Sequence, residues 1–184
     1  MIDPGLARAI RLLVLDVDGV LTDNSVTIGL VEGKRVEFKS FNIQDGLGLG
    51  IFRQSGIPVI WMSARPSEAT TLRATELRVT EVLQLKGGDK LPATLDLMKK
   101  HGVEWKEIAF VGDDLADVPV MRRCGLPIAV ANAVAEVKEC AAIVTRAEGG
   151  KGAVREVIET LLKARGTWAE SVSRYLRERG DDAA

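Results

Sequence analysis

An unbroken apolar run, Leu12-Leu13-Val14-Leu15, ends directly in Asp16-Val17-Asp18-Gly19-Val20-Leu21-Thr22. Short uninterrupted apolar runs read as strands buried on both faces of a parallel sheet. Such sheets carry their chemistry just beyond the carboxyl ends of the strands. In an extended chain, residues two apart point the same way, so Asp16 and Asp18 address one reacting group from one side. That suits an acid/base pair or metal ligands. A lone D-x-D also arises as an Asx turn, a helix cap or a surface pair, so the pair alone leaves both readings open.

A second cluster shifts the balance. Ile108-Ala109-Phe110-Val111 is another apolar strand, and it ends in Gly112-Asp113-Asp114-Leu115-Ala116-Asp117. Asp114 and Asp117 also fit the first turn of a following helix, where acids are favoured. Asp113, on the strand side of that turn, has no such explanation. Five carboxylates at adjacent strand ends repel one another and take up protons unless a cation neutralises them. Oxygen donors alone point to a hard divalent ion. Magnesium suits best, because it accepts a few carboxylates and keeps positions for water and a phosphate oxygen. The single histidine, His101, sits in a helix-ending Lys-Lys-His-Gly stretch where a cation complements the helix dipole. Cys124 and Cys140 stand apart, which argues against zinc.

Two more signals belong to a phosphate site. Val59-Ile60-Trp61-Met62 reads as a strand ending at Ser63-Ala64-Arg65-Pro66. The Ser63 hydroxyl is placed to donate to a phosphate oxygen or to cap the next helix, with Pro66 in that helix's first turn. Lys90 follows the Gly87-Gly88 bend and opens another helix; read alone, it is an ordinary solvated lysine.

Strand and helix patterns alternate along the chain. Strands are predicted near 11–17, 57–62, 81–85, 107–112, 127–131 and 142–145, with helices near 45–54, 67–77, 89–101, 115–123, 134–139 and 151–164. The alternation implies an α/β fold of Rossmann-like three-layer type, with a central, mainly parallel sheet joined by right-handed crossovers. Residues 1–184 form a single domain by the usual size prior. One interval, about 24–42, breaks the rhythm: Val26-Thr27-Ile28-Gly29 and Arg35-Val36-Glu37-Phe38 flank Glu32-Gly33-Lys34, a β-hairpin pattern. Its place immediately after Asp18 predicts that it overhangs the site. Trp168, Val172, Tyr175 and Leu176 recur at helical spacing in the tail of about 167–184, which packs on its own domain or on a neighbour, and Gly180–Ala184 reads as frayed.

Composition excludes some classes. With 25 basic and 26 acidic residues the formal charge is -1, so there is no electrostatic footprint for nucleic acid. No stretch approaches the roughly 20 apolar residues of a membrane helix, and the N-terminus lacks the apolar core of a signal peptide. A cytoplasmic protein with reduced cysteines is expected.

Taken in order, Asp16/Asp18, Ser63, Lys90 and Asp113/Asp114/Asp117 resemble the four motifs of the haloacid dehalogenase superfamily of phosphotransferases. No interval is long enough to encode a separate cap domain, so the resemblance is to the capless subclass. From about Arg11 to Arg165 the chain is similar to the 3-deoxy-D-manno-octulosonate 8-phosphate phosphatases. The similarity includes Phe41-Asn42-Ile43-Gln44-Asp45-Gly46, Pro119-Val120-Met121 and Gly149-Gly150-Lys151-Gly152-Ala153-Val154-Arg155-Glu156.

The resemblance implies Asp16 as the nucleophile and a magnesium ligand. It implies Asp18 as general acid, then base, with its backbone carbonyl on the metal, and Asp113 as the remaining ligand, supported by Asp114 and Asp117. Ser63 and Lys90 would hold the phosphate. Asn42, Ile43, Gln44, Asp45, Gly46, Arg65 and Arg73 would join Asp18 and Lys90 in contacting the acid sugar. Arg65 and Arg73, eight residues apart, share a face if they lie on one helix. The resemblance also implies a homotetramer with sites at subunit interfaces and a product used for lipopolysaccharide.

Three positions depart from the family pattern: Gly50 for an arginine, Ala64 for a glycine and Lys151 for an arginine. The absence at position 64 of the glutamate that nine-carbon sialic-type acid phosphatases carry favours the eight-carbon reading, with a nine-carbon sialic-type acid 9-phosphate or another small sugar phosphate as the alternative. A non-catalytic phospho-aspartate switch, or a scaffold, is the alternative from a different class.

Overall fold

A computed structural model describes residues 2–181. Its strands are β1 (Leu12–Asp16), β2 (Thr27–Val31), β3 (Lys34–Phe38), β4 (Val59–Ser63), β5 (Glu81–Gln84), β6 (Ile108–Gly112), β7 (Leu126–Ala129) and β8 (Ile143–Val144). Its helices are α1 (Pro4–Ala9), α2 (Ile43–Phe52), α3 (Glu68–Glu76), α4 (Lys90–His101), α5 (Val118–Met121), α6 (Ala135–Cys140), α7 (Ala153–Arg165) and α8 (Trp168–Arg177). Six strands make one parallel sheet in the order β5-β4-β1-β6-β7-β8. This is the α/β architecture expected from the alternating pattern.

Every residue of β1, β4 and β6 is buried, which is why these segments read as continuous apolar runs and not as alternating ones. Helices α1, α2 and α7 pack together, and α4, α5 and α6 form a second packed group. The register sets Leu15 beside Trp61 on one side and Val111 on the other. The ends of β1, β4 and β6 therefore open at one level, and this positions the site.

The β2–β3 hairpin stands off the main sheet as an antiparallel pair, turned by Glu32 and Gly33 at φ of 50° and 74°. Positive φ at both turn residues matches the natural twist of the paired strands.

Several details differ from expectation. Helix α1 was not anticipated, although its signal is in the sequence: Asp3 accepts a hydrogen bond from the Leu6 amide at 2.8 Å and Pro4 opens the helix. The Arg165 guanidinium donates to the carbonyls of Ala7 at 2.6 Å and Ile10 at 3.2 Å, satisfying groups that the end of α1 leaves open. Helix α3 starts at Glu68, so Pro66 lies before the helix and not in its first turn. Proline disfavours helical backbone at the residue preceding it. Arg65 is thereby kept out of α3, and the expected shared helix face with Arg73 does not form. The segment 115–123 divides into a 3-10 turn, Leu115–Asp117, and α5 with Pro119 near its start.

Helix α8 packs on α7 and α2 of its own chain. The Arg155 guanidinium lies 5.2 Å and the Lys163 ammonium 5.5 Å from the centre of the Trp168 ring, an attraction between cation and ring quadrupole. Within the frayed tail expected at 180–184, residues 182–184 lie outside the described residues. Among the described residues, no helix is long and apolar enough to cross a membrane.

Candidate active site

Asp16 is the last residue of β1 and Asp113 follows β6 directly, so the central strands of the sheet deliver both carboxylates to one place. Asp16, Asp113 and Asp117 are buried, and one carboxylate oxygen of each lies within 4.8 Å of the other two. Burial, joined by repulsion from neighbouring carboxylates, pushes the Asp16 carboxyl up to about 7 and that of Asp113 up to about 8.

Lys90, at the start of α4, is 3 % exposed and contradicts the solvated reading. It donates to Asp16 Oδ1 and, at 2.6 Å, to Asp117 Oδ1. Burial works against its charge, but Asp16 and Asp117 outweigh burial and hold its pKa above the ordinary lysine value. One ammonium does not neutralise three carboxylates. Asp113 Oδ1 is buried without a hydrogen-bond partner. An orphaned buried carboxylate oxygen beside a second acid is a coordination position in want of a cation, and an oxygen-only donor set fits a hard divalent ion.

Asp117 stands in the cluster but is otherwise committed. Its Oδ2 accepts the amides of Asp113 at 2.9 Å and Asp114 at 3.2 Å, and Oδ1 takes Lys90. Asp114 is exposed and caps the turn through the Leu115 amide at 2.7 Å. Asp117 thus ties the loop amides to Lys90, and Asp114 caps the turn.

Asp18 leaves the cluster and turns to other partners. Its Oδ2 accepts from the Ser63 hydroxyl at 3.1 Å, and its Oδ1 from the Lys39 ammonium at 2.5 Å. Ser63 does not cap α3, whose N-cap is Ser67. Its oxygen instead takes the Arg65 amide at 3.2 Å and lies 2.9 Å from the Arg65 carbonyl. Arg65 reaches Asp18 at 3.7 Å and pairs with Glu37 of β3. The hairpin thus overhangs the site, as its position predicted.

The D-x-D loop itself is held by close backbone packing. Gly19 has φ of 96°, and a Cβ there would lie 1.9 Å from Asp113 Oδ2. The segment around Gly149 presses on the same loop: a Cβ on Gly149 would meet the Gly19 carbonyl oxygen at 1.7 Å. Asn132 bridges the two, donating to the Gly19 carbonyl at 3.1 Å and accepting the Gly149 amide at 2.6 Å.

The remaining candidates gather elsewhere. Asn42 caps α2, accepting the amides of Gln44 and Asp45. Asp45 is buried and accepts the Arg155 amide at 2.7 Å. Arg73 pairs with Glu76 at 2.7 Å and fills the space left by Gly46. Ile43, Gly46 and Arg73 line a cavity of about 490 Å³ together with Gly50, Arg53, Tyr175 and Arg179. No carboxylate of the metal cluster lines it.

The chain matches the model for haloacid dehalogenase-like hydrolases over residues 53–158. It is 41% identical over 165 residues to 3-deoxy-D-manno-octulosonate 8-phosphate phosphatase of Escherichia coli, covering 90% of this chain and 86% of that protein. The chain belongs to the haloacid dehalogenase-like hydrolases. Among solved members, 3-deoxy-D-manno-octulosonate 8-phosphate phosphatase of Moraxella catarrhalis, in complex with magnesium, phosphate and KDO, superimposes with a TM-score of 0.87 at 37% identity. That match covers 94% of this chain and 97% of that one. The cobalt-bound Haemophilus influenzae enzyme gives a TM-score of 0.81 at 34% identity, covering 91% and 98%.

Three polar residues within hydrogen-bonding reach of the hydrolase motifs, Asn24, Lys39 and Asn132, went unread in the sequence; Asn24 donates to Asp113 Oδ2 at 3.4 Å. For Lys39 the usable signal was position, at the end of a hairpin expected to overhang Asp18. Asn132 carried none.

Proposed function

We propose that this chain is a magnesium-dependent phosphomonoesterase that converts 3-deoxy-D-manno-octulosonate 8-phosphate to the free acid sugar and phosphate. The observation that carries the reading is the convergence of Asp16, Lys90 and Asp113 at the ends of β1 and β6, with Asp18 held beside them. The likeness to octulosonate phosphatases over nearly the whole chain supports the substrate.

Asp16, Asp113 and the Asp18 backbone carbonyl would hold the magnesium, with Asp114 and Asp117 in support. The ion supplies charge neutralisation for the nucleophile and the transferring phosphoryl oxygens. An Asp16 carboxylate oxygen attacks phosphorus, the bond from phosphorus to the sugar oxygen breaks, and Asp18 gives its proton to the departing oxygen. Asp18 then takes a proton from water, whose oxygen attacks phosphorus and releases Asp16. Splitting one displacement into two is the advantage of a covalent carboxylate nucleophile. Lys90 and Ser63 hold the phosphoryl oxygens, since positioning and charge dominate this chemistry. Arg65, beside Asp18, takes the sugar and its carboxylate, for which the guanidinium fork is suited. Asn42 to Gly46 and Arg73, which gather away from the chain's own carboxylate cluster, contribute across a subunit interface, with Asp45 holding that segment in place.

The whole chain acts as one catalytic domain in the cytoplasm, as a homotetramer. In support of assembly, Ile28, Leu30, Val31 and Phe38 of the hairpin are exposed, and a two-stranded ribbon is marginal until it packs on something.

The test is magnesium-dependent phosphate release from a panel of sugar phosphates. A strong preference for the octulosonate phosphate, lost in Asp16→Asn by a factor of at least about 1,000, is expected. Equal activity in Asp16→Asn, or none in the native protein, would overturn the reading.

A further inference from the structure

Lys39 follows β3 at the base of a largely exposed hairpin, yet its side chain is fully excluded from solvent. Its ammonium lies 2.5 Å from Asp18 Oδ1, 3.3 Å from Thr70 Oγ1 and 3.8 Å from Glu37 Oε1. Burying a lysine against a carboxylate seldom stabilises a fold more than an apolar side chain of the same volume would. Packing alone therefore gives no reason for a charge at this position.

The two oxygens of Asp18 are gripped from different directions, Oδ2 by Ser63 and Oδ1 by Lys39. The serine grip is not a dedicated one. A hydroxyl has one proton to donate, and the Arg65 carbonyl, 2.9 Å away, already competes for it. A phosphate oxygen arriving at Ser63 competes as well. Once Ser63 turns to phosphate, the ammonium on Oδ1 is the hydrogen bond that keeps the Asp18 carboxyl from swinging about its side-chain torsion, the Arg65 guanidinium standing off at 3.7 Å from the same oxygen.

We propose that Lys39 is a positioning residue: it fixes the orientation from which Asp18 serves the departing oxygen, and so makes docking of the β2–β3 hairpin a condition of proton delivery to the leaving group. The inference rests on the phosphomonoesterase reading above. Its consequence is specific to the leaving group. An alkoxide leaving from a sugar phosphate needs a proton delivered as the bond breaks, whereas p-nitrophenolate departs unaided.

The experiment compares kcat/KM, which reports only the steps through departure of the leaving group, for Lys39→Met and Lys39→Arg on the octulosonate phosphate and on p-nitrophenyl phosphate. Placed general acids contribute about 100- to 10,000-fold. Loss of positioning alone is expected to lower kcat/KM about 10- to 100-fold on the sugar phosphate. The aryl ester should change by less than about threefold, a proton there being worth little, and Lys39→Arg should recover part of the loss. Lys39→Gln provides the same comparison if Lys39→Met does not fold, as judged by thermal melting. Equal losses on both esters, or no loss on either, would overturn the proposal. A native protein inactive on both esters with magnesium present would overturn the phosphatase reading itself, and the two failures are distinguishable.

Discussion

Asp16 and Asp113 hold their protons far more tightly in the fold than in an unfolded chain, because burial disfavours their charged forms. Their carboxyls rise from 3.8 to about 7 and about 8. Between those limits the folded metal-free state binds more protons than the unfolded one, so stability falls as pH rises. Thermal melting of the metal-free protein should therefore show a declining midpoint from pH 5 to about 8, and magnesium should raise that midpoint more at pH 8 than at pH 5. A midpoint insensitive to magnesium at pH 8 would count against the site. These acids were legible because each directly follows, or closes, an apolar strand. Lys39 and Asn132 were not, since their partners Asp18 and Gly19 lie 21 and 113 positions away. A single polar residue has no periodicity that reveals such a contact. Asp18 was legible as a site residue, but not its turn away from the carboxylate cluster, toward Ser63 and a lysine carried by the hairpin.

Between elements, Asp45 shows how a residue of a recognised motif can serve the fold. It lies in α2, is 2 % exposed, and accepts the backbone amide of Arg155 in α7 at 2.7 Å. Burial raises its carboxyl above the ordinary value despite the amides of Gly152, Val154 and Arg155 that work to lower it. Truncation in Asp45→Ala strands those donors, a loss of about 1–3 kcal/mol. Urea unfolding should show a lowered midpoint with an unchanged slope. The strands and most helices were readable because buried parallel strands are written as solid apolar runs and the helices between them carry glycine and charge signals at their ends, as Gly102 and Gly166 do for α4 and α7. The one-turn irregularities were less so. Pro66 ends one pattern and begins another, and a proline at that point permits either a first helical turn or a break before it. In α1 the helix is six residues long, too short to show a face by periodicity.

For the whole molecule, the hairpin's exposed apolar surface bears on assembly. Leu30 is 76 % exposed and Ile28 55 %. If the hairpin is the tetramer contact, Leu30→Asp should shift the sedimentation coefficient toward that of a monomer while leaving the circular dichroism spectrum intact. An unchanged coefficient from an assembled native protein would place the contact elsewhere. A different consequence follows from the way Gly149 seals the loop around Gly19. On the ribosome, a nascent chain acquires the acids of the cluster, Asp16 to Asp117, before it acquires the segment that locks their loop in place. Domains fold as units during synthesis, so the loop is locked only after residue 149 has emerged. A polypeptide terminated short of Gly149 carries Asp16, Asp18, Lys90 and Asp113 without the clamp on their loop, and it is expected to release no phosphate.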